Sequence, residues 1–162
     1  MSISDILKNA IESSILRKAK SLRSEFPMIL KNLDRTLLLW PRNPDESTIE
    51  AAREIESAIG DRIGGILAIE MKPPIKLGET IILNSKDIGF FGRPKRKAAN
   101  RISGFTASID LSNKFDLPIS ALPVMAGVPL RIGKDGSLAG GAYNLIVSGR
   151  IGEMLKKNFR IE

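Results

Sequence analysis

The sequence predicts an α+β fold in which a helical N-terminal third, about residues 3–40 and 47–60, packs on a mainly antiparallel β-sheet or partial barrel over about residues 63–148. Two observations carry most of this. Apolar residues recur at steps of three or four as far as Gly60 and at steps of two from Ile63 onward, so the period changes from that of a helix to that of a strand. In addition, the pair Asp135-Gly136 stands between two alternating runs, which favours a tight hairpin and antiparallel neighbours. The 162 residues suffice for one domain spanning 1–162, helical over residues 1–60 and β-rich over residues 61–162.

In the first helix, Ile3, Leu7, Ile11, Ile15, Ala19, Leu22 and Phe26 share one face, and Ser2 or Ser4 can cap its start. Pro27 suits the first turn of a second helical stretch, whose face continues through Leu30, Leu33, Leu37 and Trp40 to the stop at Pro41. The connector "PRNPDE" is rich in turn formers. After it, Ser47 and Glu50 form a capping box for a helix burying Ile49, Ala52, Ile55 and Ile59 and ending at Gly60.

Strands follow at Ile63–Met71, at "ETIIL", and at Phe105–Leu111, where Thr106, Ser108 and Asp110 take the polar positions of an alternating pattern. Val128, Leu130 and Ile132 make another, as do Tyr143, Leu145 and Val147. Between them Pro118, Pro123 and Pro129 interrupt an apolar stretch that reads as an extended arm. Its residues Leu117, Ile119, Leu122, Val124 and Met125 either cover the chain's own sheet or serve as oligomer contacts on a neighbouring subunit. The C-terminal segment from Gly149 reads as a short helix or a last strand.

The sequence holds neither cysteine nor histidine. Disulfides, thiolate and imidazole chemistry, and zinc sites built on sulfur or nitrogen are therefore excluded. A serine nucleophile would lack its ordinary base, and neither Ser-x-x-Lys nor Gly-x-Ser-x-Gly occurs. In "GKDGSLAGG" the lysine comes second and a strand follows, which is not the order of a phosphate-binding Walker loop. Asp87, Asp110, Asp116 and Asp135 leave an oxygen-ligand metal nuclease as the one formal catalytic option. The opening residues lack a signal peptide's pattern, and no run approaches the roughly 20 apolar residues of a membrane span. A cytoplasmic or virion location is expected.

Net charge is +7, and five cations with no intervening acid lie in residues 93–101. Arg93, Lys95, Arg96, Lys97 and Arg101 are expected on an exposed hairpin-like loop, where they can meet phosphate or a neighbouring subunit. Phe90, Phe91 and Phe105 frame the loop, and Phe90 and Phe91 are candidates for stacking on unpaired bases. The expected function is a non-catalytic subunit of a homo-oligomeric assembly, such as a phage or virus structural protein, needing no cofactor. A DNA- or RNA-binding module using the 93–101 loop is the alternative. Since no nitrogen or sulfur metal ligand exists, EDTA is expected to leave the melting temperature unchanged in a thermal scan, and a clear downward shift would show that the aspartates converge on a metal.

Overall fold

In the computed structural model, which describes residues 2–21, 33–134 and 142–158, the run Thr36–Leu39 forms strand β1 inside a six-stranded sheet. Before it stands helix α1 (Ile3–Ser21). After it come α2 (Glu46–Ile59), β2 (Ile63–Ile69), β3 (Glu79–Leu83) and α3 (Arg96–Asn100). The chain continues through β4 (Ala107–Asp110), α4 (Leu117–Ala126), β5 (Leu130–Lys134), β6 (Leu145–Val147) and α5 (Ile151–Asn158). The sheet order is β3-β2-β1-β4-β5-β6, and every strand pairing is parallel.

This corrects the mainly antiparallel sheet or partial barrel expected from the sequence. The hairpin expected at Asp135-Gly136 is corrected with it, because β5 and β6 run in the same direction; residues 135–141 themselves lie outside the described residues. Parallel neighbours must be joined by crossovers that pass over a face of the sheet, so both faces acquire cover. On one face α2 and α5 pack on Leu38, Ile66, Ala68, Ile109 and Ile132. On the other, α3 and α4 pack on Leu37, Leu39, Leu67, Ile81 and Leu83.

The helix expected over Leu33, Leu37 and Trp40 is also corrected. Leu22, Phe26 and Leu30 lie outside the described residues, while Leu37, Leu38 and Leu39 stand in β1, completely buried and alternating between the two faces. A short unbroken apolar run suits a turn of buried helix or a strand covered on both sides, and periodicity does not separate them. Strand β4 misleads in the opposite way. Its polar positions Ser108 and Asp110 match Leu37 and Leu39 in register and are as buried as its apolar ones, so they face the second helical layer instead of water.

Local signals in the helices hold better. Ser2 caps α1, its hydroxyl accepting from the Asp5 backbone N–H at 3.2 Å. The cap of α2 is Asp45, reciprocated by Thr48, and not the expected Ser47–Glu50 pair. Ala52, Ile55 and Ile59 are buried as their spacing requires. Gly152 lets α5 approach α2 closely, since a Cβ there would stand 3.0 Å from the Glu54 carbonyl carbon. The proline-rich stretch forms helix α4, with Pro118 in its first turn and Pro123 within it, where an extended arm was expected.

No helix among the described residues is long and apolar enough to cross a membrane. Because Leu38 is completely buried in the cluster joining both sheet halves to α2 and α5, Leu38→Ala should cost about 2–5 kcal/mol in urea denaturation. A loss below about 1 kcal/mol would place this side chain outside the core.

Candidate ligand-binding crevice

All parallel strands end on the same side, and the chain lays β2 and β3 to one side of β1 before returning to lay β4, β5 and β6 on the other. The loops leaving β1 and β4 therefore diverge, and a cleft opens between them at the carboxyl edge of the sheet. A half-open crevice of about 870 Å³ occupies this position. Pro41, Arg42, Asn43, Asp45 and Thr48 line it after β1, and residues 111–118 line it after β4. Ile88, Phe91 and Gly92 add a wall from the β3–β4 crossover, and Lys8 and Glu12 of α1 close one side.

Arg42 and Asp116 join the two loops across the mouth. The guanidinium donates from Nε to Asp116 Oδ2 at 2.6 Å and from Nη2 to Oδ1 at 2.7 Å, a two-pronged pairing that fixes both side chains. The carboxylate raises the Arg42 pKa above its already high ordinary value. Asp45, a second acid on the wall, accepts from the Thr48 backbone N–H at 3.0 Å as the cap of α2. Helix α4 starts at the crevice with no side-chain cap on its first turn. Phe91 holds a left-handed backbone conformation at φ 57°, which costs a non-glycine residue of order 1–3 kcal/mol.

One wall residue has an unmet need. Ser112 Oγ is buried and has no hydrogen-bond partner, although the Ser112 backbone N–H donates to Asp110 Oδ1 at 2.8 Å. Behind it lies a buried polar group: Tyr143 donates its hydroxyl hydrogen to Asp110 Oδ2, and Ser120 Oγ lies 2.6 Å from the same phenolic oxygen. Burial raises the Asp110 pKa above the ordinary carboxylate range. Burial and the neighbouring Asp110 charge raise that of Tyr143 as well. Arg131, on β5, is 1% exposed and donates to the carbonyls of Ala142 (2.8 Å), Val128 (2.7 Å) and Ala19 (3.2 Å).

The basic segment is not a hairpin loop but belongs to the β3–β4 crossover. Asp87 is lodged beneath it, accepting from the Asn84 backbone N–H at 3.0 Å and pairing with Lys97 at 3.6 Å and Arg101 at 3.9 Å. The Asn84 N–H first, and the two cations next, lower the Asp87 pKa against the opposing effect of burial. Arg93, Lys95 and Arg96 are exposed. Phe90 is 90% exposed and Phe91 38%, their ring centroids 6.5 Å apart. Phe105 is buried, with the Arg35 guanidinium 4.6 Å from its ring centre.

Of the aspartates considered for metal chemistry, Asp87 joins Lys97 and Arg101, Asp110 joins Tyr143, and Asp116 joins Arg42. Asp135 lies outside the described residues, and no group of three metal-ligating side chains forms among those described. Leu117, Ile119, Leu122 and Val124 are buried within the chain and Met125 partly so, against α1 and the sheet. Sequence reasoning missed Arg42 and Ser112 and considered Asp116 only as a candidate metal ligand. Their signal was two polar turns, "PRNPDE" and "SNKFD", each following an apolar run, and it becomes legible only once both runs are strands pointing the same way.

No protein-family model, curated protein or solved structure matches the chain.

Removing the Asp110 carboxylate should alter stability in a pH-dependent direction. A carboxyl that holds its proton more tightly when folded loses stability as pH rises through the ordinary carboxylate range toward its raised folded value. In urea titrations at several pH values, Asp110→Asn should therefore gain relative to the parent chain as pH rises from about 3 to 7. A difference moving the other way would mean that the folded protein favours the charged carboxylate.

Proposed function

We propose that the chain binds a small polar molecule carrying an anionic group in the crevice between the ends of β1 and β4. The observation that carries this reading is the half-open crevice at the carboxyl edge between β1 and β4, on whose wall Lys8 and Lys114 make no ion pair among the described residues. The position supports the same reading, since sheets with a reversal of strand order bind ligands at the carboxyl edge where the order switches.

Charge favours an anion. Asp116 is engaged by Arg42 and Asp45 by the start of α2, which leaves Lys8 and Lys114 against the one acid Glu12 as the wall charges without an ion pair among the described residues. The uncapped N-terminus of α4 adds partial positive charge. A dinucleotide is disfavoured: "WPRNPDES" after β1 contains no glycine, and the start of α2, where a pyrophosphate would sit, already holds the Asp45 carboxylate.

Isothermal titration against inorganic phosphate, sugar phosphates, mononucleotides and small dicarboxylates tests the reading. At least one should bind, with Lys114→Gln weakening it about tenfold, as loss of one charge-assisted hydrogen bond implies, at an unchanged melting temperature. Absence of binding across all four classes, or binding indifferent to Lys114→Gln and to Lys8→Gln, would remove the crevice as the site.

A further inference from the structure

Seven large apolar side chains are exposed among the described residues, and five of them belong to α1 and to the turn that α1 contacts. Ile3 (78% exposed), Ile6 (51%) and Leu7 (43%) belong to the exposed first two turns of α1, ahead of Ile15 and Ala19, which dock on α4. Phe90 (90%) and Phe91 (38%) belong to the turn against which α1 packs. That turn is closed by its own backbone. Gly89 N–H donates to the Arg93 carbonyl at 2.7 Å and Arg93 N–H to the Phe90 carbonyl at 3.2 Å, with a bridge between Ile88 and Pro94 beneath. Phe90 is thus presented at a firmly tied tip.

Positive charge accompanies this apolar end. Arg93, Lys95 and Arg96 are exposed beside Phe90 and make no ion pair among the described residues. Lys97 and Arg101, by contrast, are tied to Asp87. On the start of α1, Lys8 stands with Asp5, whose carboxylate is held by Ser2, and Glu12, so the positive charge of this end rests on the 93–96 segment.

We propose that this end of the molecule docks reversibly on an anionic lipid surface, with Ile3, Ile6, Leu7 and Phe90 entering the interfacial region and Arg93, Lys95 and Arg96 meeting the headgroups. Three alternatives fit the observations less well. A second copy of the chain would set like charges against one another across a self-complementary contact. A protein partner would need a separate pocket for each of two projecting points on different elements, whereas a lipid interface conforms to them. A single nucleic acid strand has use for Phe90 and the cations, but none for three aliphatic side chains on a helix. Apolar insertion combined with basic residues is the combination that binds membrane surfaces without spanning them. The inference stands independently of the crevice reading, since none of the apolar residues entering the interface lines the crevice.

The test is co-sedimentation of the full chain with vesicles of phosphatidylcholine alone and of phosphatidylcholine mixed with phosphatidylglycerol, at low and high salt. Binding is expected to the mixed vesicles only and should weaken with salt. Replacing Arg93, Lys95 and Arg96 together by glutamine should weaken it about a hundredfold, at roughly fivefold per cation. The double variant Ile3→Ser, Phe90→Ser should also lose binding while keeping its melting temperature, because both side chains lie outside the core. Failure to bind anionic vesicles overturns the proposal. So does binding that ignores the serine variant, which would be plain electrostatic adsorption. Tight binding of a single-stranded oligonucleotide, unaffected by Ile3→Ser and without vesicle binding, would assign the surface to nucleic acid.

Discussion

The parallel direction of all six strands is the constraint from which the rest of the structure follows. A parallel neighbour cannot be reached by a two-residue turn, so each crossover passes over a face of the sheet and leaves cover there. With α2 and α5 on one face and α3 and α4 on the other, β1 loses contact with water on both sides. Its leucines alternate between two apolar layers, and one strand of four residues ties the two clusters together. The same direction collects the loops that leave the strands at one edge, so the crevice is a product of the topology before any residue lining it is chosen.

Cover on both faces imposes a second requirement, because any polar side chain on a central strand must find its partners inside. Asp110 does so through Tyr143 and the Ser112 backbone, and Arg131 through three carbonyl oxygens. These contacts also fasten peripheral elements to the sheet, since Tyr143 and Ala142 lie beyond β5 and Ala19 lies in α1. Satisfaction stops at three buried atoms among the described residues, Trp40 Nε1, Ser108 Oγ and Ser112 Oγ.

The cation-rich segment shows how tertiary structure divides what a sequence presents as one feature. Lys97 and Arg101 hold Asp87 beneath the crossover, while Ala98, Ala99 and Ile102 anchor α3 in the core. Arg93, Lys95 and Arg96 remain on the surface beside a fully presented Phe90. The phenylalanines divide as well: Phe105 serves the core under Arg35, Phe91 the crevice wall, and Phe90 the exterior.

What the sequence determined by itself was local. The helical period from Ile49 to Ile59, the stop at Gly60, the runs that became β2 to β6 and the absence of cysteine and histidine chemistry all depend on neighbours a few residues apart, and those are legible in order along the chain. Strand direction, the identity of β1 as a strand and the meeting of Arg42 with Asp116 were decided only by the tertiary structure. The physical reason is that alternation records burial and not orientation. Once a second helical layer buries Ser108 and Asp110 as fully as Ala107 and Ile109, a half-polar pattern no longer marks a face turned to water. Arg42 and Asp116 stand 74 positions apart, and nothing local links them until β1 and β4 lie side by side.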